Sequence, residues 1–316
     1  MATEQEIDAA TANREEPKLP WRRLSALILA GLTAIAVYLG RGELWPTLKE
    51  IDPLWLLIGL ALHLVNYYFR ALRLRQLTEG RLKIWPTGYR AICIHGVATY
   101  LMPLRTGELA LPALLRSAYG ASWAEGLRLL IWARVMDMCA LGIWVLVAAT
   151  FLEVAVSGAF MAFWVLCGAA LAASPLLVYV LPLASAVLPA KLKKHLGHLE
   201  GRAKFTPGVL FSSLGVWTMT GSALYCTARA VALPLGMGDI WFIVTVQLPL
   251  QLAPIQGIAN SGNHEAGWVA ALTMLGLTAS DALNFALATH AVHLLYIVTI
   301  SLLLVLLQAG HTSTKQ

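Results

Sequence analysis

Residues 24–40, LSALILAGLTAIAVYLG, contain no charged side chain, and comparably apolar stretches return at 53–69, 127–150, 158–188, 208–227 and 282–308. A bilayer core takes about 20 apolar residues per helix, so this recurrence predicts six full crossings and rules out most other folds. The 158–188 stretch is long enough for a tilted helix kinked near Pro175 and Pro182. Charged residues make up 13% of the chain and the mean hydropathy is +0.68, against about 25% charged in an ordinary soluble domain.

The net charge of +6 does not point to nucleic acid, because Lys and Arg collect between the apolar stretches. Counted on that topology, eighteen fall on one side and three on the other, with Arg105 and Arg134 inside the membrane region. The bias predicts a multi-pass protein of the cytoplasmic (inner) membrane with both termini cytoplasmic. Residues 1–20 read as a cytoplasmic tail, 21–308 as one transmembrane domain and 309–316 as a second tail. The cluster of Lys191, Lys193, Lys194, His195, His198, Arg202 and Lys204 reads as an orientation signal, with contact to anionic lipid of the cytoplasmic leaflet as the alternative. Trp45, Trp55, Trp85, Trp123, Trp217 and Trp241 lie near predicted span ends, as an interfacial aromatic belt would. Cys93, Cys139, Cys167 and Cys226 show no CxxC spacing, so they are read as packing residues rather than a disulfide or zinc framework.

Two apolar regions do not behave as single spans. Segment 91–118 is broken by MPLRTGELALP and segment 240–276 by APIQGIANSGNHEAG, each bringing Pro, Gly and charge into the middle of the region. Irregular backbone at membrane depth is tolerated only where protein or a wet cavity surrounds it. Both regions are therefore expected to be re-entrant helical hairpins, with Pro103 and Gly107 shaping one apex and Pro254, Gly257 and Gly262 the other. Each follows a span ending in aromatics and arginine, NYYFRAL at 66–72 and ALYCTARAV at 223–231, and the charge bias sends those two spans in opposite directions. The expected fold is thus all-α integral membrane, about six transmembrane helices plus two re-entrant hairpins in an inverted repeat, with repeats at about 53–150 and 208–308. Inverted repeats with broken helices meeting at the midplane are a transporter signature.

Charge inside a bilayer needs a partner or water. Arg105 and Glu108 flank the TG turn of the first apex; they either pin the hairpin as a pair or hold an anionic headgroup, which a guanidinium fork grips bidentately. Arg134 and Asp137 lie three residues apart on one helical face, as a helix-packing lock or as the remainder of a four-residue cluster. Two cations and two anions leave such a cavity near neutral, so a phosphate would enter favourably only if the carboxylates took up protons or turned away, which suggests proton coupling. The second apex supplies Gln256, Asn260, Asn263, His264 and Glu265, whose amides bind oxygens without net charge. His290 and His293 share a helix face, but HEAGW is not HExxH; no metal and no cofactor is expected.

Together NYYFRALRLRQL, MPLRTGELALP, RVMD and PIQGIANSGNHEAG resemble the flippase-like transmembrane family associated with lysylphosphatidylglycerol synthase, over about residues 20–308. The chain is similar to free-standing members without the aminoacyl-transferase domain, so synthase activity does not carry over. The resemblance implies a protein that moves a lipid between leaflets, the lipid being anionic, aminoacylated, or polyprenyl- or glyco-linked. It also singles out Arg70, Arg73, Arg105, Gly107, Glu108, Arg134, Asp137, Gly262 and Glu265 as motif positions. The family's second apex is a GGxGxxE loop, where this chain has GIANSGNHE. A lipid translocase is the expected function, and not an enzyme. A non-transporting partner that presents lipid to a glycosyltransferase or lipid synthase is the alternative, with homo-oligomerisation left open. An intramembrane enzyme built on Glu265 and the histidines ranks last, for want of a nucleophile and base at a recognisable spacing.

Overall fold

The computed structural model describes residues 49–151, 158–176, 206–252 and 257–313, and every regular element among them is helical. The first half runs as a long helix α1 (Pro53–Leu77), a short α2 (Tyr89–Leu101), a 3-10 turn at Pro103–Leu109, a short α3 (Ala110–Tyr119) and a long α4 (Trp123–Ala148). After α5 (Gly158–Ala172) the same order returns: long α6 (Pro207–Ala230), shorter α7 (Met237–Leu252), a 3-10 turn at Ile258–Asn260, short α8 (Asn263–Met274) and long α9 (Ala279–Ser313). Helices α1, α4, α6 and α9 are long and apolar enough to cross a membrane. They coincide with four of the six expected crossings. The stretch 24–40 lies outside the described residues. In 158–188 the helix stops at Ala172, before Pro175, and residues 177–188 are likewise outside them. Helix α9 continues through Ser313, into the residues read from sequence as a tail.

Local chemistry explains where the helices begin and end. Asp52, Ser122 and Thr206 each cap a first turn, the Asp52 carboxylate accepting from Leu54 N at 2.8 Å, and proline occupies the first position of α1 and α6. Gly120, at φ +75°, ends α3 in the left-handed conformation that a side chain disfavours.

The longest contact is between α1 and α6, the first helices of the two runs. Asn66 ties them with bonds to Val216 O at 2.6 Å and Thr220 Oγ1 at 2.8 Å. Between α4 and α5 the backbones approach at Gly142, where a Cβ would meet Gly168 O and Ala172 N; small residues permit such packing in lipid, where association depends on close contact.

Two expectations are corrected here. Trp217 lies mid-helix and bonds to Asp137, and Trp241 is buried and stacked on Trp144, so neither belongs to an interfacial belt. The expected span 53–69 left Arg70 and Arg73 outside it among the cations counted on one side, but α1 runs on to Leu77 and carries both inside the helix. Taking those two away leaves sixteen against three, and the charge bias survives.

Candidate functional site

The first tip reverses the chain within Pro103–Leu109, with Leu104 and Arg105 both left-handed at φ 54° and 58°. That backbone costs a non-glycine residue on the order of 1 kcal/mol. Gly107 makes the reversal possible, because it is buried and a Cβ there would fall on the Ala98 carbonyl. Gly107→Ala is expected to lower stability by about 1–3 kcal/mol, whereas Gly158→Ala, facing open space, should leave the thermal unfolding midpoint in detergent unchanged.

Arg105 Nη2 donates to Glu108 Oε1 at 2.7 Å, and Arg134 donates to the same oxygen. Arg134 Nη1 also reaches Asp137 Oδ2 at 3.0 Å. The sequence-predicted cluster of Arg105, Glu108, Arg134 and Asp137 is therefore assembled, and the pairings foreseen within the tip and within α4 both occur. Spacing alone could not reveal the other members. Arg73 donates to Asp137 Oδ1 at 2.6 Å, Trp217 Nε1 donates to the same oxygen at 3.2 Å, and His95 Nε2 lies 3.4 Å from Glu108 Oε2. Arg70 donates to Asn66 Oδ1 at 2.8 Å, and among the described residues no carboxylate lies within ion-pair distance of it.

This changes the charge balance. Arg70, Arg73, Arg105 and Arg134 face Glu108 and Asp137, an excess of two positive charges with the histidines counted as neutral. The expectation of a near-neutral cluster is thus corrected: helix α1 contributes two cations from a part of the chain more than sixty residues before Asp137.

The second tip turns at Ala259, Asn260 and Gly262, with φ 56°, 62° and 81°. Glu265 accepts from Gly262 N at 2.7 Å, capping α8, and its other oxygen pairs with His290 Nδ1. His290 Nε2 lies 2.8 Å from Ala259 O, which can only accept, so that nitrogen carries hydrogen. One further proton must then lie between Glu265 and His290 Nδ1. His264 Nε2 meets Thr289 Oγ1 at 3.1 Å; that hydroxyl already donates to Ala286 O, so the imidazole is the donor. The rings of His264 and His290 stack 4.7 Å apart rather than pointing nitrogens at a common centre, and among the described residues no group of three ligands is placed to hold a metal. Asn263 is buried in α8, while Pro254 and Gln256 lie outside the described residues.

The two tips touch, and a cavity of about 230 Å³ lies beside them. Arg70, Arg105 and Arg134 line one part of it; Asn260, His264 and His293 line another. Glu108, Asp137 and Glu265 are not on its wall, because guanidinium groups or His290 engage them. Chemically the cavity offers guanidinium and amide donors to an anion, beside a group of imidazole and tyrosine rings.

No curated protein and no solved structure matches the chain. Residues 23–301 match the family described as the lysylphosphatidylglycerol synthase TM region. With that much of its length covered, the chain belongs to this family, a multi-pass membrane family tied to membrane lipids.

Proposed function

From that membership and the cavity between the tips, we propose that the protein is a lipid translocase. It passes an anionic, aminoacylated, or polyprenyl- or glyco-linked headgroup between leaflets while the acyl chains stay in lipid. The observation that carries this reading is the cavity wall, where Arg70, Arg105 and Arg134 meet Asn260 and His264 from the other tip with positive charge in excess. A headgroup phosphate is attracted there without any carboxylate first taking up a proton. In this reading proton coupling belongs to the proton held between Glu265 and His290 rather than to Glu108 or Asp137.

The same proposal includes the finer architecture. The helices flanking the tips hold 13, 10, 16 and 12 residues. At 1.5 Å per residue they span roughly 15–24 Å, short of a hydrocarbon core of about 30 Å. That length supports re-entrant hairpins, and the repeated helix order supports an inverted repeat whose halves rock about the shared cavity. Both termini are then cytoplasmic, and the activity is transport rather than chemical conversion.

The test is leaflet exchange of fluorescent or aminoacylated lipid in proteoliposomes. Arg105→Ala and Arg134→Ala are each expected to slow it at least tenfold, since a hydrogen bond to a charged group is worth about 1.5–3 kcal/mol. Exchange at the unaltered rate in both variants refutes the assigned site. No exchange by the isolated protein, together with a stable copurifying enzyme, supports the lipid-presenting alternative instead.

A further inference from the structure

A second cavity, of about 320 Å³, opens on the outer side of the first hairpin and shares no lining residue with the central one. It lies between the start of α2, the end of α3 and Leu304 of α9, at the end of the fold where Arg75, Lys83, Arg90 and Arg116 collect. Its wall changes character with depth. At the rim are Thr87, Arg90 and Ser117, all exposed; about one helical turn (roughly 6 Å) further along α2 and α3 are Ile94 and Leu114, with Leu304 behind them. Trp85, 61% exposed, closes one side with its ring 5.6 Å from that of Tyr89.

Arg90 and Arg116 have no carboxylate within ion-pair distance among the described residues, in contrast to Arg81 at the same end, which pairs with Glu125. A rim with an uncompensated guanidinium and hydroxyls, above a floor of aliphatic side chains, has the polarity profile of one phospholipid lying along the bilayer normal. Free phosphate would leave the floor unused, and a zwitterionic lipid, carrying its own cation beside the phosphate, would answer Arg90 only in part. We propose that this groove is a binding site for an anionic phospholipid of the adjoining leaflet. The phosphate sits at Arg90 with Thr87 and Ser117, and one acyl chain lies against Ile94, Leu114 and Leu304. The site is separate from the translocation cavity and does not depend on transport taking place.

Native mass spectrometry of the detergent-purified full chain, titrated with phosphatidylglycerol and with phosphatidylcholine, tests this. The same titrations on an Arg70→Gln background lower the contribution of the central cavity, so a lipid bound there is told apart by its loss of affinity in that background. One phosphatidylglycerol is expected to bind more tightly than phosphatidylcholine in both backgrounds. Arg90→Gln should weaken phosphatidylglycerol about fivefold, the effect of one basic residue on an anionic lipid, and weaken phosphatidylcholine, whose choline cation offsets its phosphate, by less. Ala118→Trp, which fills the exposed rim from α3, should weaken both lipids. Equal retention of the two lipids, or binding indifferent to Arg90→Gln and Ala118→Trp, overturns the proposal. So does a dimer that Ala118→Trp dissociates without loss of lipid, which would make the groove a contact between copies of the chain.

Discussion

Replacing Asp137 with asparagine is expected to destabilise the protein by about 3–5 kcal/mol, the usual loss when one member of a buried ion pair is removed. Asp137 accepts from Arg73, Arg134 and Trp217, and its side chain and that of Arg73 are only 4% and 6% exposed. Asparagine keeps the shape but leaves Arg73 without a counter-charge in a place water does not reach. The comparison is Glu125→Gln, which breaks the pair with Arg81, a side chain 52% exposed; there the loss should stay below about 1 kcal/mol. Denaturant or thermal unfolding in detergent micelles measures both. Equal losses in the two variants would show that the Asp137 cluster is solvated and is not the anchor of the helix packing.

Arg70→Gln should produce the opposite pattern. Arg70 lines the central cavity, bonds to Asn66 and has no carboxylate partner among the described residues. Its removal strands no anion. Stability should hold or rise slightly, because a partly buried cation with no carboxylate within ion-pair distance is unfavourable. Lipid exchange should fall between tenfold and about a hundredfold if the guanidinium grips the headgroup phosphate. Arg73→Gln, one helical turn along α1, should lose stability instead, because Asp137 would lose its closest partner. Variants that change stability and exchange in parallel, at Arg70 as at Arg73, would mean that the arginines of α1 serve only the architecture. In that case the headgroup site must be sought elsewhere.

Arg73 also shows where sequence reading ran out. The expected span 53–69 left the arginines that follow it to be counted with the cytoplasmic charge. The helix nevertheless continues to Leu77 with Arg73 buried. A charge can stay inside when a counter-charge waits for it, and here the counter-charge lies 64 positions away on α4. Trp217 was misread for the same reason, its partner Asp137 being 80 positions distant. By contrast Arg105 with Glu108 and Arg134 with Asp137 were legible, because each pair lies three residues apart, the first brought together by a tight turn and the second by helix geometry. His95 carried no signal at all: a single histidine in an apolar helix looks the same whether or not a carboxylate faces it. The second tip was visible as a polar, glycine-rich break, but the pairing of Glu265 with His290 across 25 residues was not.

The amino-acid sequence by itself determined the helical class, the four long spans now seen in place, and the two points where helices break. Hydropathy, proline and glycine act locally, so a one-dimensional pattern suffices to read them. Tertiary structure alone decided which helices lie side by side, and therefore the sign of the central cavity. Packing α1 against α6 and α4 brings Arg73 against Asp137, a carboxylate that nothing in its own segment foretells, sets Arg70 on the cavity wall, and changes a neutral cluster into a positive one. Charge balance in a buried site is a property of neighbours in space, and spacing along the chain does not encode it.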